Sequence, residues 1–203
     1  MLKDVSDSKR INTHIEGERA KRPVDDPQPL PVSGLVLSAQ FWPTFREEKL
    51  VLPQHMQEGL DEYTKGFQAL KGNRTLVWKP HLGTVDVEIE LGERVIRLKV
   101  SPMHAAIIHL FEEKDKWTVE ELSSRLGTPV AAVKRKLALW QSHGVLKEGD
   151  GGAIVLIEEQ AGSSVNHELL EGGGLEEEEV ESAMASAQDQ REEEYQVKHE
   201  RIF

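Results

Sequence analysis

Residues 84–100 read TVDVEIELGERVIRLKV, and this stretch decides the fold. Apolar and charged residues alternate on both sides of Gly92-Glu93, which predicts two half-buried strands. A two-residue connection with glycine first is typical of a type II′ hairpin turn. The turn fixes the register, so Val85 is expected to face Val100 and Glu88 to face Arg97. One face of the hairpin then covers a core, and the other meets water.

A helix and two more strands are predicted before the hairpin. Apolar residues recur at three- and four-residue steps from Pro53 to about Lys71, where Gly72-Asn73 ends the pattern. Residues 35–37 and 75–79 read as short strands. The second of them and the two strands of the hairpin predict a small three-stranded, antiparallel-containing α/β module.

Three helices with readable ends are predicted after the hairpin. Ser101-Pro102 and Thr128-Pro129 each combine an N-cap residue with a following proline, and Thr118 with Glu121 forms a capping box. A glycine-rich hairpin at residues 145–157 follows. A helix, a short helix, a longer helix and a hairpin make the element order of a winged-helix domain.

The fold class is therefore α+β, in five segments. Residues 1–22 are predicted to be the end of a bundle helix, and residues 23–34, which contain four prolines, form a linker. The α/β module covers 35–100 and the winged helix 101–160. Residues 161–203 hold 12 acidic and 3 basic residues with few apolar groups, so we expect a disordered acidic tail.

Composition excludes several classes of function. The chain has 203 residues, a net charge of −11 and no cysteine, which excludes a disulfide scaffold, a cysteine-based zinc site and a thiol nucleophile. No apolar run approaches the ~20 residues that span a bilayer, so we expect a soluble intracellular protein without a membrane partner. The net charge of residues 1–160 is only −2, which gives no general attraction to nucleic acid.

No catalytic residue, metal ligand or cofactor site is predicted. His104 and His109 are five residues apart, which is off the four-residue step of paired ligands on a helix. Asp86, Glu88 and Glu90 share one strand face, where cross-strand cations make a salt-bridged surface the simpler interpretation.

A winged helix also raises the alternative of DNA binding. The predicted last helix carries Lys134-Arg135-Lys136, but its outward face consists of Ala131, Arg135, Leu139 and Ser142. One arginine and an exposed leucine suit base edges and phosphates poorly. Nucleic acid is thus the less favoured partner.

Several ordered landmarks resemble the cullin family. They are MLKDVSDSKRIN at 1–12, LSAQFWP at 37–43, RTLVWK at 74–79, LGT at 82–84, SPMHAAI at 101–107 and WTVEEL at 117–122. Each is weak alone, and their order carries the resemblance over about residues 1–160. In its detail the chain resembles the cullin-like branch that serves a multisubunit ligase of the cell cycle.

The resemblance implies a non-catalytic scaffold fragment of a cullin-RING-type E3 ubiquitin ligase, in the nucleus and cytoplasm. Its expected partners are a RING-type subunit, other ligase subunits and, indirectly, a ubiquitin-conjugating enzyme. In cullins the sheet accepts a strand from the RING subunit, a mode called β-augmentation. The residues expected to bind that subunit are Phe41, Trp42, Leu76, Trp78, Val85, Val87 and Ile89. Relative to the family the chain lacks the N-terminal repeats and the second winged helix, so we expect a fragment.

Overall fold

A computed structural model describes residues 2–23, 29–45, 47–92 and 94–157, and the backbone of residues 170–171. The described residues form two compact units. The first consists of residues from 1–45 and 53–78, and the second of residues from 46–52 and from 79 onward. Most of the predicted tail, residues 24–28 of the predicted linker and Glu93 lie outside the described residues.

Two helices build the first unit. Helix α1 is Leu2–Ala20 and helix α2 is Gln54–Leu70, so both predicted helices are confirmed. Ile11 of α1 and Tyr63 and Phe67 of α2 form a buried cluster. The partly buried residues packed against this cluster are Ile15, Val32, Val36, Leu76 and Trp78.

The predicted hairpin is confirmed in the second unit, with its register. Strand β1 is Val85–Leu91 and strand β2 is Arg94–Val100, paired antiparallel with Val85 opposite Val100 and Glu88 opposite Arg97. Gly92 has a φ of 60°, the left-handed backbone that a tight hairpin turn requires of its first residue. The alternation of apolar and charged residues, together with the turn at Gly92, was sufficient to predict this register.

The predicted strands at 35–37 and 75–79 are wrong. Both segments lie outside any sheet. Leu76 and Trp78 pack on the helical cluster of the first unit, and the Val36 N–H donates to the Ser8 hydroxyl of α1 instead of to a strand. The third strand of the hairpin's sheet is Leu170–Glu171, which pairs parallel with β2 in the order β1, β2, third strand.

The rest of the second unit holds three helices and a small sheet. The helices are α3 (Pro102–Leu110), α4 (Val119–Leu126) and α5 (Val130–Ser142), and the strands are β3 (Lys116–Trp117), β4 (Leu146–Glu148) and β5 (Ile154–Leu156). They follow one another in the order α3, β3, α4, α5, β4, β5, and Leu170–Glu171 is β6. β5 lies between β3 and β4 and is antiparallel to both. The predicted glycine-rich hairpin is confirmed as β4 and β5.

The helix ends follow the predicted caps in one case and depart from them in two. Thr118 and Glu121 form the capping box, and Gly127 ends α4 with a φ of 64°. Ser101 precedes α3 as predicted, but its hydroxyl lies 2.9 Å from His104 Nδ1 and makes no cap bond. Thr128 is not the cap of α5: its N–H donates to the Ser123 carbonyl at the end of α4, and Pro129 precedes the helix.

A continuous apolar core lies among α3, α4 and α5. Its fully buried side chains include Ile107, Leu122, Val133 and Trp140, each about 0% exposed. Trp140 Nε1 donates to the His104 carbonyl at 3.1 Å, which satisfies the one polar atom of the indole. Among the described helices, none is both long and apolar enough to cross a membrane.

Candidate partner-binding surface

One face of α1 binds residues 34–42, an extended stretch that ends in a turn, through polar side chains. Asp4 accepts hydrogen bonds from the Ser38 N–H and hydroxyl, both at 3.2 Å, and from Trp42 Nε1 at 2.9 Å. The Ser8 hydroxyl accepts from the Val36 N–H at 2.8 Å. Asn12 Oδ1 accepts from the Gly34 N–H at 3.0 Å and from the Tyr63 hydroxyl at 2.6 Å.

These hydrogen bonds form a ladder between residues 4, 8 and 12 of α1 and residues 38, 36 and 34, because the repeat of the helix matches the repeat of the extended chain. Four residues of helix rise about 6 Å, and two residues of extended chain span about 6.6 Å. Residues 4, 8 and 12 therefore stay in step with the backbone N–H groups of residues 38, 36 and 34. α1 thus supplies side-chain acceptors for the backbone N–H groups of residues 34, 36 and 38, which no strand pairs.

The Asp4 carboxylate is the best-bonded group of the ladder. Donation by Trp42 and Ser38 lowers the pKa of Asp4 below its usual value, since those bonds favour the charged form. The charge at Asp4 is therefore retained to a lower pH in the folded chain than in the unfolded one. Its contribution to stability is lost as pH falls through that lowered pKa.

Asp4→Ala is expected to release residues 38–42 from α1. Trp42 Nε1 and the Ser38 N–H would lose their acceptor, and leaving such donors unpaired costs more than the bond contributed. The measurement is amide hydrogen exchange at Ser38 together with the Trp42 indole resonance. Asp7→Ala is the matched control, because the partner of Asp7 among the described residues is Arg10, at 2.6 Å on the same helix. Equal exchange at Ser38 in both variants would contradict the ladder.

Phe41 and Trp42 lie side by side but in different surroundings. Trp42 is partly buried and held by Asp4, while Phe41 is 56% exposed. The Phe41 N–H donates to the Ser38 carbonyl at 2.9 Å, so the aromatic pair sits on a tight turn. Of the two predicted binding residues, only Phe41 presents a large free apolar surface.

Leu76 and Trp78 belong to the helical cluster of the first unit. Trp78 Nε1 donates to the Thr64 hydroxyl at 2.9 Å, and its ring meets the Tyr63 ring edge-on at 5.3 Å between centroids. Leu76 is also partly buried there, whereas Val77 between them is 72% exposed. The two predicted residues therefore serve packing within this unit.

Val85, Val87 and Ile89 lie on β1, with the apolar side of the hairpin. All three are partly exposed, whereas their partners on β2, namely Val100, Leu98 and Ile96, are buried. The apolar face is therefore well covered at β2 and only partly covered at β1. The structure groups these three with one another, and Phe41, Trp42, Leu76 and Trp78 belong to the other unit.

The opposite face of the hairpin is charged and exposed. Arg97 Nε contacts Glu88 Oε2 at 2.7 Å, and this pair lowers the pKa of Glu88 and raises that of Arg97. Asp86 lies opposite Lys99, and Glu90 opposite Val95. The predicted charged face is confirmed, and the Glu88–Arg97 ion pair lies on it.

The described part of the chain offers little for other chemistry. Within it, no cluster of three or more His, Asp or Glu residues could hold a metal ion. On α5 the predicted outward residues Ala131, Arg135 and Ser142 are exposed and Leu139 is half-buried. A face with a single cation offers few contacts to the phosphates and base edges of DNA.

A sequence profile described as "Cullin alpha+beta domain" matches residues 36–169. The chain belongs to the cullin family. Curated relatives include "Anaphase-promoting complex subunit 2" of Mus musculus, 40% identical over 194 residues, which are 96% of this chain and 23% of that protein. The Arabidopsis thaliana protein of that name is 38% identical over 200 residues, 94% of this chain and 23% of the relative. "Cullin-3" of Dictyostelium discoideum is 26% identical over 127 residues, 63% of this chain and 16% of the relative.

This cullin-family chain spans about a quarter of the length of the first two relatives. The resemblance of the chain to the cullin family is confirmed. Its closer likeness to the cullin-like subunit of the anaphase-promoting complex is confirmed as well. The matched range contains the hairpin, α3 to α5 and the sheet of β3, β5 and β4, and it ends one residue before β6.

Sequence reasoning missed the residues that hold the segment 34–42. Asp4, Ser8 and Asn12 read as ordinary polar residues of a charged helix, although Asp4 and Ser8 are buried. Their four-residue spacing beside Ile11 and Ile15 was the available signal. Val5, an apolar residue of the same helix, is 42% exposed.

Proposed function

We propose that this chain is a non-catalytic scaffold segment of a cullin-like ubiquitin ligase and that its hairpin sheet binds a RING-type subunit. The observation that carries the proposal is the partly covered apolar face of β1 in a domain of the cullin family. Strands pair through backbone hydrogen bonds, so an extended segment of a partner can add to such a sheet. Without cysteine, the chain needs another subunit to supply a zinc-bound RING.

The segment boundaries from the sequence form part of this proposal. Residues 35–100 would be the α/β module, and residues 101–160 a winged helix, which the order α3, β3, α4, α5, β4, β5 supports. Residues 1–22 would end a bundle helix, 23–34 would link it to the module, and 161–203 would form an acidic tail. Other ligase subunits and, through the RING subunit, a ubiquitin-conjugating enzyme are the further partners. The proposed location is the nucleus and cytoplasm.

Of the predicted binding residues, the proposal depends most on Val85, Val87 and Ile89. Their partial exposure leaves apolar surface for an added strand to cover. On the first unit, taken by itself, Phe41 offers an exposed aromatic ring for a partner to contact. Trp42, Leu76 and Trp78 would act by shaping the first unit, since each is already held by Asp4 or by the helical cluster.

The test is co-expression of the full chain with the RING-type subunit of the same organism, followed by size-exclusion chromatography. The expected result is co-elution that survives 0.5 M salt, because backbone pairing and apolar burial are screened little. Val87→Asp, which places a charge on the apolar face, is expected to abolish co-elution, while Asp115→Asn on an exposed turn leaves it intact. No complex with the unmodified chain, together with salt-dependent binding to duplex DNA, would overturn the scaffold in favour of the nucleic-acid alternative.

A further inference from the structure

The Asp4 carboxylate holds the turn at residues 38–42 against α1. Its Oδ2 atom accepts from the Ser38 N–H at 3.2 Å and from Trp42 Nε1 at 2.9 Å, and its Oδ1 atom accepts from the Ser38 hydroxyl at 3.2 Å. Asp4 is 9% exposed, so these three donors take the place of water around its charge. The contact between α1 and this turn therefore depends on one buried anion.

Ser38 differs from the other serines of the first unit that the structure describes. Ser8 is 3% exposed, so its hydroxyl is closed to an enzyme in the folded chain. Ser6 and Ser33 are exposed, and the Ser33 hydroxyl contacts the exposed Glu16 only at 3.5 Å. Ser38 is partly exposed, and its hydroxyl donates to a buried carboxylate. Within this set, Ser38 combines access from solvent with a direct bond to a buried charge.

The chain around Ser38 is open to local unfolding. Leu35, Ala39, Gln40 and Phe41 are exposed, and residues 35–38 belong to no helix or strand. Exposed segments outside regular structure open most readily, and they carry a large share of functional side chains. An enzyme that modifies a hydroxyl needs a segment of this kind, so the backbone at Ser38 suits such an enzyme.

A phosphate on Ser38 would set a second anion against Asp4. It carries a charge of about −1.5 to −2 near neutral pH, and it replaces the hydroxyl proton that Asp4 Oδ1 accepts. The two anions repel at contact distance, and the carboxylate is fixed on α1. The dipole of α1 favours an anion in the first turn, but Asp4 already fills that place. The turn therefore has to leave α1.

We propose that Ser38 is a phosphorylation site whose modification releases residues 38–42 from α1. A protein kinase would transfer the γ-phosphoryl group of ATP to Ser38 Oγ. The bond from Oγ to phosphorus forms, the bond from that phosphorus to the β–γ bridging oxygen breaks, ADP leaves, and the hydroxyl proton passes to the base of the kinase. Release frees the Trp42 indole beside the exposed Phe41, which gives a partner an aromatic pair to contact. This inference concerns the first unit alone and does not rest on the proposed function.

The test uses the full chain with phosphoserine incorporated at position 38 during translation, compared with the unmodified chain. The expected result is a loss of protection from amide exchange at residue 38 of at least about tenfold, because its N–H leaves Asp4. The Trp42 indole N–H resonance should move toward that of a solvent-exposed tryptophan. Val36 and Gly34 should keep their protection, because other side chains of α1 accept their N–H groups.

Phosphoserine at position 33 is the matched control. It adds the same charge to the same segment beside Glu16, but Glu16 is exposed and can swing away. Protection at residue 38 should then stay within about twofold of the unmodified chain. Ser38→Ala removes the hydroxyl without adding charge, and the N–H of residue 38 can still donate to Asp4. A loss as large in Ser38→Ala as with the phosphate would overturn the mechanism of charge repulsion.

Asp4→Asn shows whether the phosphate acts through Asp4. It removes the charge and keeps an oxygen acceptor, so the phosphate should change protection at residue 38 by less than about threefold in this background. A loss of tenfold or more there, about as large as with Asp4 in place, would overturn the assigned mechanism.

Phosphopeptide mapping of the chain isolated from its own cells decides whether the site is used. Phosphate on Ser38 is expected in part of the population. Its absence at every stage of growth would overturn the assignment of the site, and the proposed scaffold function would be unaffected.

Discussion

Trp140→Ala is expected to lower the free energy of unfolding of the second unit by about 3–5 kcal/mol, the range for removing a large aromatic side chain from a core. Trp140 is about 0% exposed on α5 and contacts the His104 ring edge-on, with 6.2 Å between ring centroids. Its loss would leave a cavity and would also remove the donor of the His104 carbonyl. Few single changes in this chain combine both costs.

The measurement is urea denaturation followed by amide exchange, which resolves α3, α4 and α5 from the first unit. Trp140→Phe fills most of the space without the indole N–H and should fall between the alanine variant and the unmodified chain. Arg135→Ala on the exposed face of the same helix is the control, with an effect within about 0.5 kcal/mol. A loss below about 1 kcal/mol for Trp140→Ala would contradict the packing around α5.

His104 is expected to make the second unit sensitive to mild acid. Burial, together with the nearby charge of Lys136, lowers the pKa of His104 from 6.5 to about 4. The imidazole stays neutral in the folded chain while the unfolded chain takes up a proton below pH 6.5. Folding therefore loses stability as pH falls through this window, by about 2 kcal/mol between pH 7 and pH 5.

The check compares the pH dependence of unfolding in the unmodified chain and in His104→Gln and His104→Leu. Neither replacement titrates, so the loss between pH 7 and pH 5 should shrink by about 2 kcal/mol in both. Glu121, whose pKa is lowered to about 2 by Lys114 and the Thr118 cap, loses its stabilising charge only at lower pH. Parallel pH profiles for all three proteins would show that folding does not lower the pKa of His104, so that the folded chain takes up the proton as readily as the unfolded one.

The hairpin could be predicted from sequence because its information is local. Alternation decides which residues face the core, and Gly92 decides where the chain turns, so the register has one solution. The capping box at Thr118 is equally local, since its four residues contain both donors and both acceptors. α5 began one residue later than predicted because Thr128 bonds back to α4, and the cap signal of Thr128 does not report that competing contact.

The segments at 35–37 and 75–79 could not be assigned locally. Each has the composition of a strand, but the backbone of 35–37 is bonded by α1, and the side chains of Leu76 and Trp78 pack on the helical cluster. The contacts of the predicted binding residues could not be assigned from local sequence either. Trp42 and Trp78 read as binding residues, and their indole N–H groups turn out to bond to Asp4 and Thr64. The third strand of the hairpin's sheet, β6, pairs Leu170 with Leu98, which is 170 − 98 = 72 residues away along the chain, so local sequence could not place it.

The most direct test of the scaffold account is amide hydrogen exchange in the full chain, alone and in its purified complex with the RING-type subunit. The account predicts that amides of β1, the strand at one end of the order β1, β2, β6, exchange at least about tenfold more slowly in the complex, because a strand of the partner pairs with them. The exposed amides of α5 should be unchanged. A stable complex in which the exchange of every amide of β1 and β2 is unaltered would contradict the claim that this sheet binds the partner.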